Sequence, residues 1–311
     1  MKVNQYRSLP WQQEQQLQKL NQLLTHAYQN IPYYHDLFNQ IGLAKENQIQ
    51  LESIEAFQAI PFLTKTSIRR EKERMHATDM ASRNPYQNSS GGSTGEPVTF
   101  MQDAQYAMSN RIHTHLAYSW RGYEPYDDMV IIWGAERDIF KGKKSLKEKL
   151  FDIYYNRLVL NSFSMSEADM EQYIQILNRK RPKLIKGYVQ SMYELANYAN
   201  KHRIKVRPQQ AIHLAAGTLY EPMRILIEKI FGTQTYNYYG SREVGSIASE
   251  CKAQDGLHIM MEHTLVEVIN EADQPCQPGE QGEIVVTTLS NYSMPLIRYR
   301  IGDVGILKKY E

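Results

Sequence analysis

Leu17, Leu20, Leu24 and Ala27 recur at helical spacing, and Pro32 stands about where such a helix would stop. The chain therefore opens on an amphipathic packing helix. Pro61 and Thr64 precede a charged stretch that predicts a short exposed helix before a polar Asn/Ser/Gly segment. Met129 to Trp133 is a short apolar run closed by Gly134, which predicts a buried strand that delivers a loop. Ser166 and Asp169 have capping-box spacing ahead of Met170, Ile174 and Leu177, a one-sided helical stripe. Leu184-Ile185 reads as the next strand, Met192 to Ala199 as a helix, Ile212 to Ala215 as a strand and Met223 to Ile230 as a helix. Such alternation predicts a layered α/β fold with a largely parallel sheet, whose ligands lie beyond the carboxyl ends of the strands. After Gly256 the pattern changes to β-branched runs, Thr264 to Ile269 and Glu283 to Thr288, joined through Pro278, Gly279 and Gly282. We divide the chain into a helical part (1–85), an α/β core (86–255) and a terminal β subdomain (256–311).

Composition narrows the function classes. With 311 residues, 42% hydrophobic and 23% charged, the chain can bury a sizeable core. A formal net charge of +2 gives no electrostatic reason for a nucleic-acid partner. No apolar run reaches the length of a signal or a membrane span, and Cys251 and Cys276 are too few for a disulfide framework. We expect a cytoplasmic protein that handles small molecules, with the oligomeric state left open and a homodimer among the alternatives.

Three segments carry candidate chemistry. Ser89, Ser90, Gly91, Gly92, Ser93, Thr94 and Gly95 free backbone N–H groups and add hydroxyl donors without bulk, as a phosphate-wrapping loop requires. No Gly-Lys-Ser or Gly-Lys-Thr closes it, so it is not a P-loop of the NTPase type. Tyr236 to Gly245 sets aromatic rings beside Glu243, which suits a purine and a phosphate-bridging Mg²⁺. Pro295 to Asp303 is the third. Taken singly, the first reads equally as a flexible linker, and the other two read first as an aromatic strand end with a surface Glu and as a strand ending at a Gly-Asp turn with solvated arginines.

Together, in order and spacing, the three segments resemble the adenylate-forming superfamily of acyl- and aryl-CoA ligases. Cys251, Gly256-Leu257-His258 and Pro295 to Asp303 resemble its phenylacetate-CoA ligase branch, with the CapK-like capsule-biosynthesis members, from Tyr86 to Leu307. The resemblance implies the large N-terminal domain of such an enzyme, with layered α/β sheets and a terminal β subdomain ending at a hinge. The chain stops at Glu311, where relatives continue into a small C-terminal domain, so turnover is expected to be impaired. The implied reaction is ATP-dependent activation of a carboxylic acid to an acyl-adenylate, with pyrophosphate released and the acyl group passed to CoA or another thiol or amine. The alternative is a non-catalytic ATP- or AMP-binding module that regulates or scaffolds a partner.

The resemblance also assigns roles. Ser89 to Gly95 would hold phosphates, with Thr94 joining Glu243 in catalysis; Arg242 departs from the family pattern, which has a small hydroxyl residue there, and joins the catalytic candidates as a contact to a phosphate or the substrate carboxylate, with a surface or structural ion pair as the alternative. Glu243 would bind Mg²⁺, Asp303 the ribose, and Tyr239 the adenine face. Ala216, Gly217 and Thr218 would line the adenine edge, with Asn237, Tyr238 and Gly240 close by. Trp133, Gly134 and Tyr188 would line the acyl pocket. Two weaker signals stand apart from these. Cys251, His258 and Cys276, with Glu250 or His263 as a fourth ligand, have zinc-binding chemistry at irregular spacing. The basic run Arg137, Lys141, Lys143, Lys144, Lys147 and Lys149 could meet an anionic substrate or surface, or be a solvated helix face.

Overall fold

Three of the four stripe residues, Leu20, Leu24 and Ala27, are fully inaccessible to solvent along helix α1 (Leu9–Asn30), joined by Leu23, while Leu17 is only partly buried. The computed structural model describes residues 3–90, 97–134 and 146–308. Pro32 does more than end α1: it supplies the first residue of α2 (Pro32–Gln40), where its missing N–H costs nothing. Helix α3 (Lys65–Glu71), strands β1 (Tyr86–Ser89) and β2 (Thr99–Gln102) and helix α4 (Ala104–Ser119) follow. Strands and helices then alternate as β3 (Met129–Ile132), α5 (Leu146–Tyr154), β4 (Arg157–Leu160), α6 (Glu167–Lys180), β5 (Leu184–Tyr188), α7 (Val189–Lys201), β6 (Ile212–Ala215), α8 (Glu221–Phe231) and β7 (Thr235–Ser241). The chain continues through β8 (Gly245–Glu250), β9 (Leu257–Ile259), β10 (Thr264–Ile269), β11 (Gln281–Thr288) and β12 (Tyr299–Ile306).

These elements form two compact units that are discontinuous in sequence: Met1–Thr114 with Ser241–Ile247 and Ile259–Glu311, and His115–Gly240 with Ala248–His258. In the first unit, β10, β11 and β12 form an antiparallel sheet. Its strands hold the N-terminal helices across some 250 positions of sequence. Gln16 Nε2 donates to the carbonyls of Met261 and Thr264 at 3.0 Å each, and Tyr34 Oη donates to Pro295 O at 3.0 Å. Strand β12 does not stop at the Gly302-Asp303 pair; it runs through it to Ile306, with Gly302 at φ +93. The arginines ahead of that pair are not solvated either. Arg298 is 3% exposed and forks onto Glu267 with contacts of 2.8 and 3.1 Å.

The second unit is built on strands in the order β4-β3-β5-β6-β7, whose four pairings are parallel. The Ser166 capping box forms at the start of α6: Ser166 Oγ accepts from Asp169 N, and the Asp169 carboxylate accepts from Ser166 N. Register separates the two faces. Val130, Ile132, Ile185, Ile212 and Leu214 pack with Ile174, Leu177, Met192, Leu195, Ile227 and Phe231 from α6, α7 and α8. Met129, Leu184, Ala211 and Tyr236 turn to the opposite face and meet Tyr118 and Tyr123. A parallel sheet covered on both faces reads as continuous apolar runs. Two residues break that rule on the second face: Lys186, register partner of Ile131, and His213, register partner of Lys186.

Candidate functional site

The parallel strands order themselves so that β3 has β4 on one side and β5 on the other. This reversal of direction is where an open α/β sheet leaves a crevice at the carboxyl ends of its strands. Trp133, directly after β3, and Tyr188, the last residue of β5, meet there as stacked rings 3.9 Å between centroids. Gly134 follows because only hydrogen fits: a Cβ would run into Asn161 Oδ1 and come within 2.9 Å of Phe163 N. All three residues expected to line the acyl pocket are thus neighbours in the second unit.

One strand over, Ala216, Gly217 and Thr218 form an exposed loop at the end of β6. Ala216 holds φ +55, a left-handed conformation that costs an L-residue roughly 1–2 kcal/mol. Backbone strain of this kind clusters at active sites and ligand clamps. Asn237, Tyr238, Tyr239 and Gly240 lie on β7 and are half-buried. The start of that strand is braced by Glu250, whose carboxylate accepts from Asn237 N at 2.6 Å and from Arg224 Nη2 at 2.7 Å. Arg121 passes below, its guanidinium 4.9 Å from the Tyr236 ring centre and its pKa lowered to about 10 by burial.

In the first unit, β1 and β2 pair antiparallel and carry the ends of the Ser/Gly loop. Ser90 closes them: its N–H donates to Val98 O and its Oγ accepts from Val98 N, at 2.9 and 2.8 Å. Gly91, Gly92, Ser93, Thr94 and Gly95 lie outside the described residues, as do Arg137, Lys141, Lys143 and Lys144. Gln102, at the end of β2, reaches the second motif, its Nε2 donating to Arg242 O at 2.8 Å and to Glu243 O at 3.2 Å. The hairpin that frames the phosphate-loop candidate therefore also grips the candidate magnesium ligand. Gly245 completes the turn at φ +73, with Asn110 Oδ1 only 2.6 Å from where a Cβ would stand.

His263 holds the same turn from behind. Buried and stacked on His113 at 5.1 Å, it donates from Nε2 to Val244 O at 3.1 Å and accepts at Nδ1 from Ser109 and Ser290. Burial, reinforced by His113, pulls its pKa down to about 3. Glu243 is buried and Arg242 exposed. Asp303 lies on the exposed stretch of β12. Burial raises the Tyr299 phenol pKa, and the charges of Glu243 and Asp303 raise it further against Arg69. Both carboxylates thus act on one buried hydroxyl, which has no hydrogen-bond partner among the described residues. Two carboxylates and an unsatisfied donor fit a polyoxygen ligand with a divalent cation.

The zinc expectation is corrected. Among the described residues no cluster of three His, Cys, Asp or Glu side chains can hold a metal. Cys276 is buried against Gln281 O, His258 lies edge-on to Trp120, Glu250 is committed to Arg224, and His263 to its hydrogen bonds. No helix among the described residues is long and apolar enough to cross a membrane. Sequence reasoning missed Gln102, Lys186 and His213; it named His263 only as a metal-ligand candidate and Tyr299 only as part of the third segment. Of the missed residues only Lys186 and His213 had a visible signal, a basic or polar residue inside an apolar strand.

No family model matches the chain. In sequence it is similar to the protein CapK of Staphylococcus aureus, 26% identical over 294 residues that cover 93% of this chain and 62% of the relative. The phenylacetate-coenzyme A ligase of Aromatoleum evansii is 29% identical over 316 residues, 93% of this chain and 65% of the relative. The chain thus spans less than two thirds of the length of these curated relatives. Among solved structures, a 2-hydroxyisobutyryl-CoA ligase in complex with 2-HIB-AMP and CoA superposes with TM-score 0.76 at 17% identity, over 98% of this chain and 65% of that one. O-succinylbenzoate coenzyme A synthetase from Bacillus subtilis, in complex with ATP and magnesium, gives TM-score 0.51 at 17% identity over 72% of this chain and 47% of that one. The fold is that of the N-terminal domain of adenylate-forming enzymes.

Proposed function

We propose that this chain, a homologue of CapK and of the phenylacetate-coenzyme A ligases, is the large domain of an ATP-dependent adenylate-forming ligase. It activates a carboxylic acid to an acyl-adenylate, with pyrophosphate leaving, for transfer to coenzyme A. One observation carries the reading: Gln102 ties the hairpin of the Ser/Gly loop to the carbonyls of Arg242 and Glu243, joining two of the three sequence motifs by direct hydrogen bonds.

In this reaction a carboxylate oxygen attacks the α-phosphorus and the bond to the β-phosphate breaks, so no proton need be moved by the protein. Alignment and charge compensation supply the rate. The Ser89 to Gly95 loop presents N–H and hydroxyl donors to the phosphates. Asp303 accepts from the ribose hydroxyls, and Ala216 to Thr218 with Asn237, Tyr238, Tyr239 and Gly240 receive the base. Trp133, Gly134 and Tyr188 hold the acyl group. Magnesium, held by Glu243, would neutralise phosphate charge. Arg242 and Thr94 are assigned to phosphate contact. We place the reaction in the cytoplasm and, from the likeness to CapK, in the supply of acyl groups to surface polysaccharide.

Calorimetric titration with ATP and AMP in the presence of Mg²⁺ tests this. Saturable binding is expected, and loss of it in the Glu243→Ala, Asp303→Ala double variant. A folded parent chain that binds neither nucleotide would sink the assignment.

A further inference from the structure

Within the first unit, a crevice of about 480 Å³ separates the α3 segment from the hairpin of β1 and β2. One wall presents Arg69, Lys72 and His76 against a single carboxylate, Glu73, and the other is β2 from Thr99 to Met101. The apolar lining residues Ile68, Val98, Phe100 and Met294 are buried. What a ligand meets first is therefore the polar rim, with Lys72 and Thr99 exposed and Arg69 and His76 half-buried.

Two links fix this crevice to the candidate site of the same unit. Strand β2 passes from Met101 into Gln102, which holds the carbonyls of Arg242 and Glu243. On the other wall, Leu63 bridges to Tyr299: its N–H donates to Arg298 O and its carbonyl accepts from Arg300 N, at 2.9 Å each. Thr64 then caps α3, its hydroxyl accepting from Ser67 N, and Arg69 follows about one and a half turns on. The guanidinium acts on the Tyr299 hydroxyl in opposition to Glu243 and Asp303, so the cationic wall begins beside that pair of carboxylates.

The charge of this wall is only partly matched. Arg70 and Arg74 pair with Glu71, and Arg74 also with Asp36. Lys72 and His76 form no ion pair among the described residues. Lys72 also holds φ +46 with ψ −120, a conformation that a residue with a side chain seldom adopts and that is concentrated where ligands are clamped.

We infer that this crevice is a diphosphate site, in which Arg69, Lys72 and His76 receive the pyrophosphate expelled by adenylation. The source of the anion rests on the adenylation reading; the cationic crevice does not. In that reaction the bond from the α-phosphorus to the bridging oxygen breaks and its electron pair leaves with the pyrophosphate, a polyanion that cations stabilise. Glu243 and Asp303 repel it once it is free of the nucleotide, and the wall that begins at Arg69 attracts it.

The test is calorimetric titration of the whole chain, with AMP and Mg²⁺ present, using inorganic pyrophosphate, orthophosphate and coenzyme A. Pyrophosphate should bind saturably and about tenfold tighter than orthophosphate or better, the scale of one added charge-assisted hydrogen bond. Lys72→Gly removes the ammonium and relieves the backbone, so it should weaken pyrophosphate binding about tenfold while thermal stability holds or rises. Lys72→Arg should keep most of the affinity, and AMP affinity should hold in both variants. Arg69→Met should weaken pyrophosphate binding at least as much; should it fail to fold, His76→Gln takes its place. Binding of AMP without pyrophosphate overturns the inference and leaves the adenylation reading standing. A pyrophosphate affinity indifferent to Lys72 overturns it too, as does coenzyme A binding through Lys72 more tightly than pyrophosphate. Lysine-dependent pyrophosphate binding in a chain that does not bind AMP would support the diphosphate site and remove the adenylation reading instead.

Discussion

Lowering the pH should weaken this protein through His263, by an amount that the structure sets. The imidazole has a pKa of about 3 in the fold and 6.5 as a free side chain. Between those values the unfolded chain takes up a proton that the folded chain refuses. The stability His263 contributes is therefore complete above pH 6.5 and is lost as pH falls toward 3. Each pH unit inside the window costs about 1.4 kcal/mol, so a drop from pH 6.5 to 5 removes about 2 kcal/mol. Structurally, a second proton would put a cation beside His113 and replace the acceptor that Ser109 and Ser290 donate to. His263→Gln removes the titration while keeping an amide able to donate to Val244 O. It should cost about 1–2 kcal/mol at pH 7 for imperfect replacement of the hydrogen bonds. Urea unfolding followed by circular dichroism at pH 7, 6 and 5 reads both effects. Burial also lowers the pKa of His26, His113 and His213, but these are present in both proteins, so the difference in slope isolates His263. If the two proteins lose stability in parallel, to within about 0.5 kcal/mol, the buried neutral imidazole is not the source and the reasoning fails.

Arg298→Met strands the Glu267 carboxylate in the interior, along with the Gln58 and Ile60 carbonyls the guanidinium now satisfies. It should cost about 3–5 kcal/mol by thermal unfolding, with a Glu267→Leu, Arg298→Met pair recovering most of the loss. Gly134→Ala drives a methyl group against Asn161 and Phe163 and should destabilise by about 1–3 kcal/mol in the same assay. Ala216→Gly relieves a left-handed backbone and should leave stability unchanged or higher by up to about 1 kcal/mol, whereas Ala216→Val should lower it by a similar amount. AMP affinity should hold in Ala216→Gly if that loop contacts the base through its backbone.

Most elements of the sheet could be read from the chain because their cause is local. Met129 to Ile132, Leu184-Ile185 and Ile212 to Ala215 are apolar runs bounded by turns, and the Ser166 box is a four-residue signal. The arginines after Pro295 read as solvated because their partners are remote: Glu267 is 31 residues from Arg298 and the Ile60 carbonyl 238. The zinc set failed for a related reason. Ligand chemistry is visible in a sequence, but whether those side chains converge depends on what else holds them, and Cys276, His258 and Glu250 are each held elsewhere. Gln102 could not have been singled out at all, and His263 stood out only as a metal-ligand candidate, not as the brace of a turn. Their importance lies in which backbone carbonyls they grip, and a carbonyl leaves no mark on residue identity.

The interleaving of the two units has a consequence during synthesis. Helix α1 emerges from the ribosome early, with Leu20, Leu23, Leu24 and Ala27 along one side. The strand that follows Met261 and the segment around Pro295, which its neighbours Gln16 and Tyr34 bind, appear only some 250 residues later. At about 5–20 residues per second those two sets of hydrogen bonds wait roughly 12–50 seconds, with α2 and the segment around Ile49 to Leu51 beside α1 in the meantime. The second unit, complete once His258 is out, can close first. The first unit is thus the one that closes late, and the last element to lock is the sheet made by β10, β11 and β12.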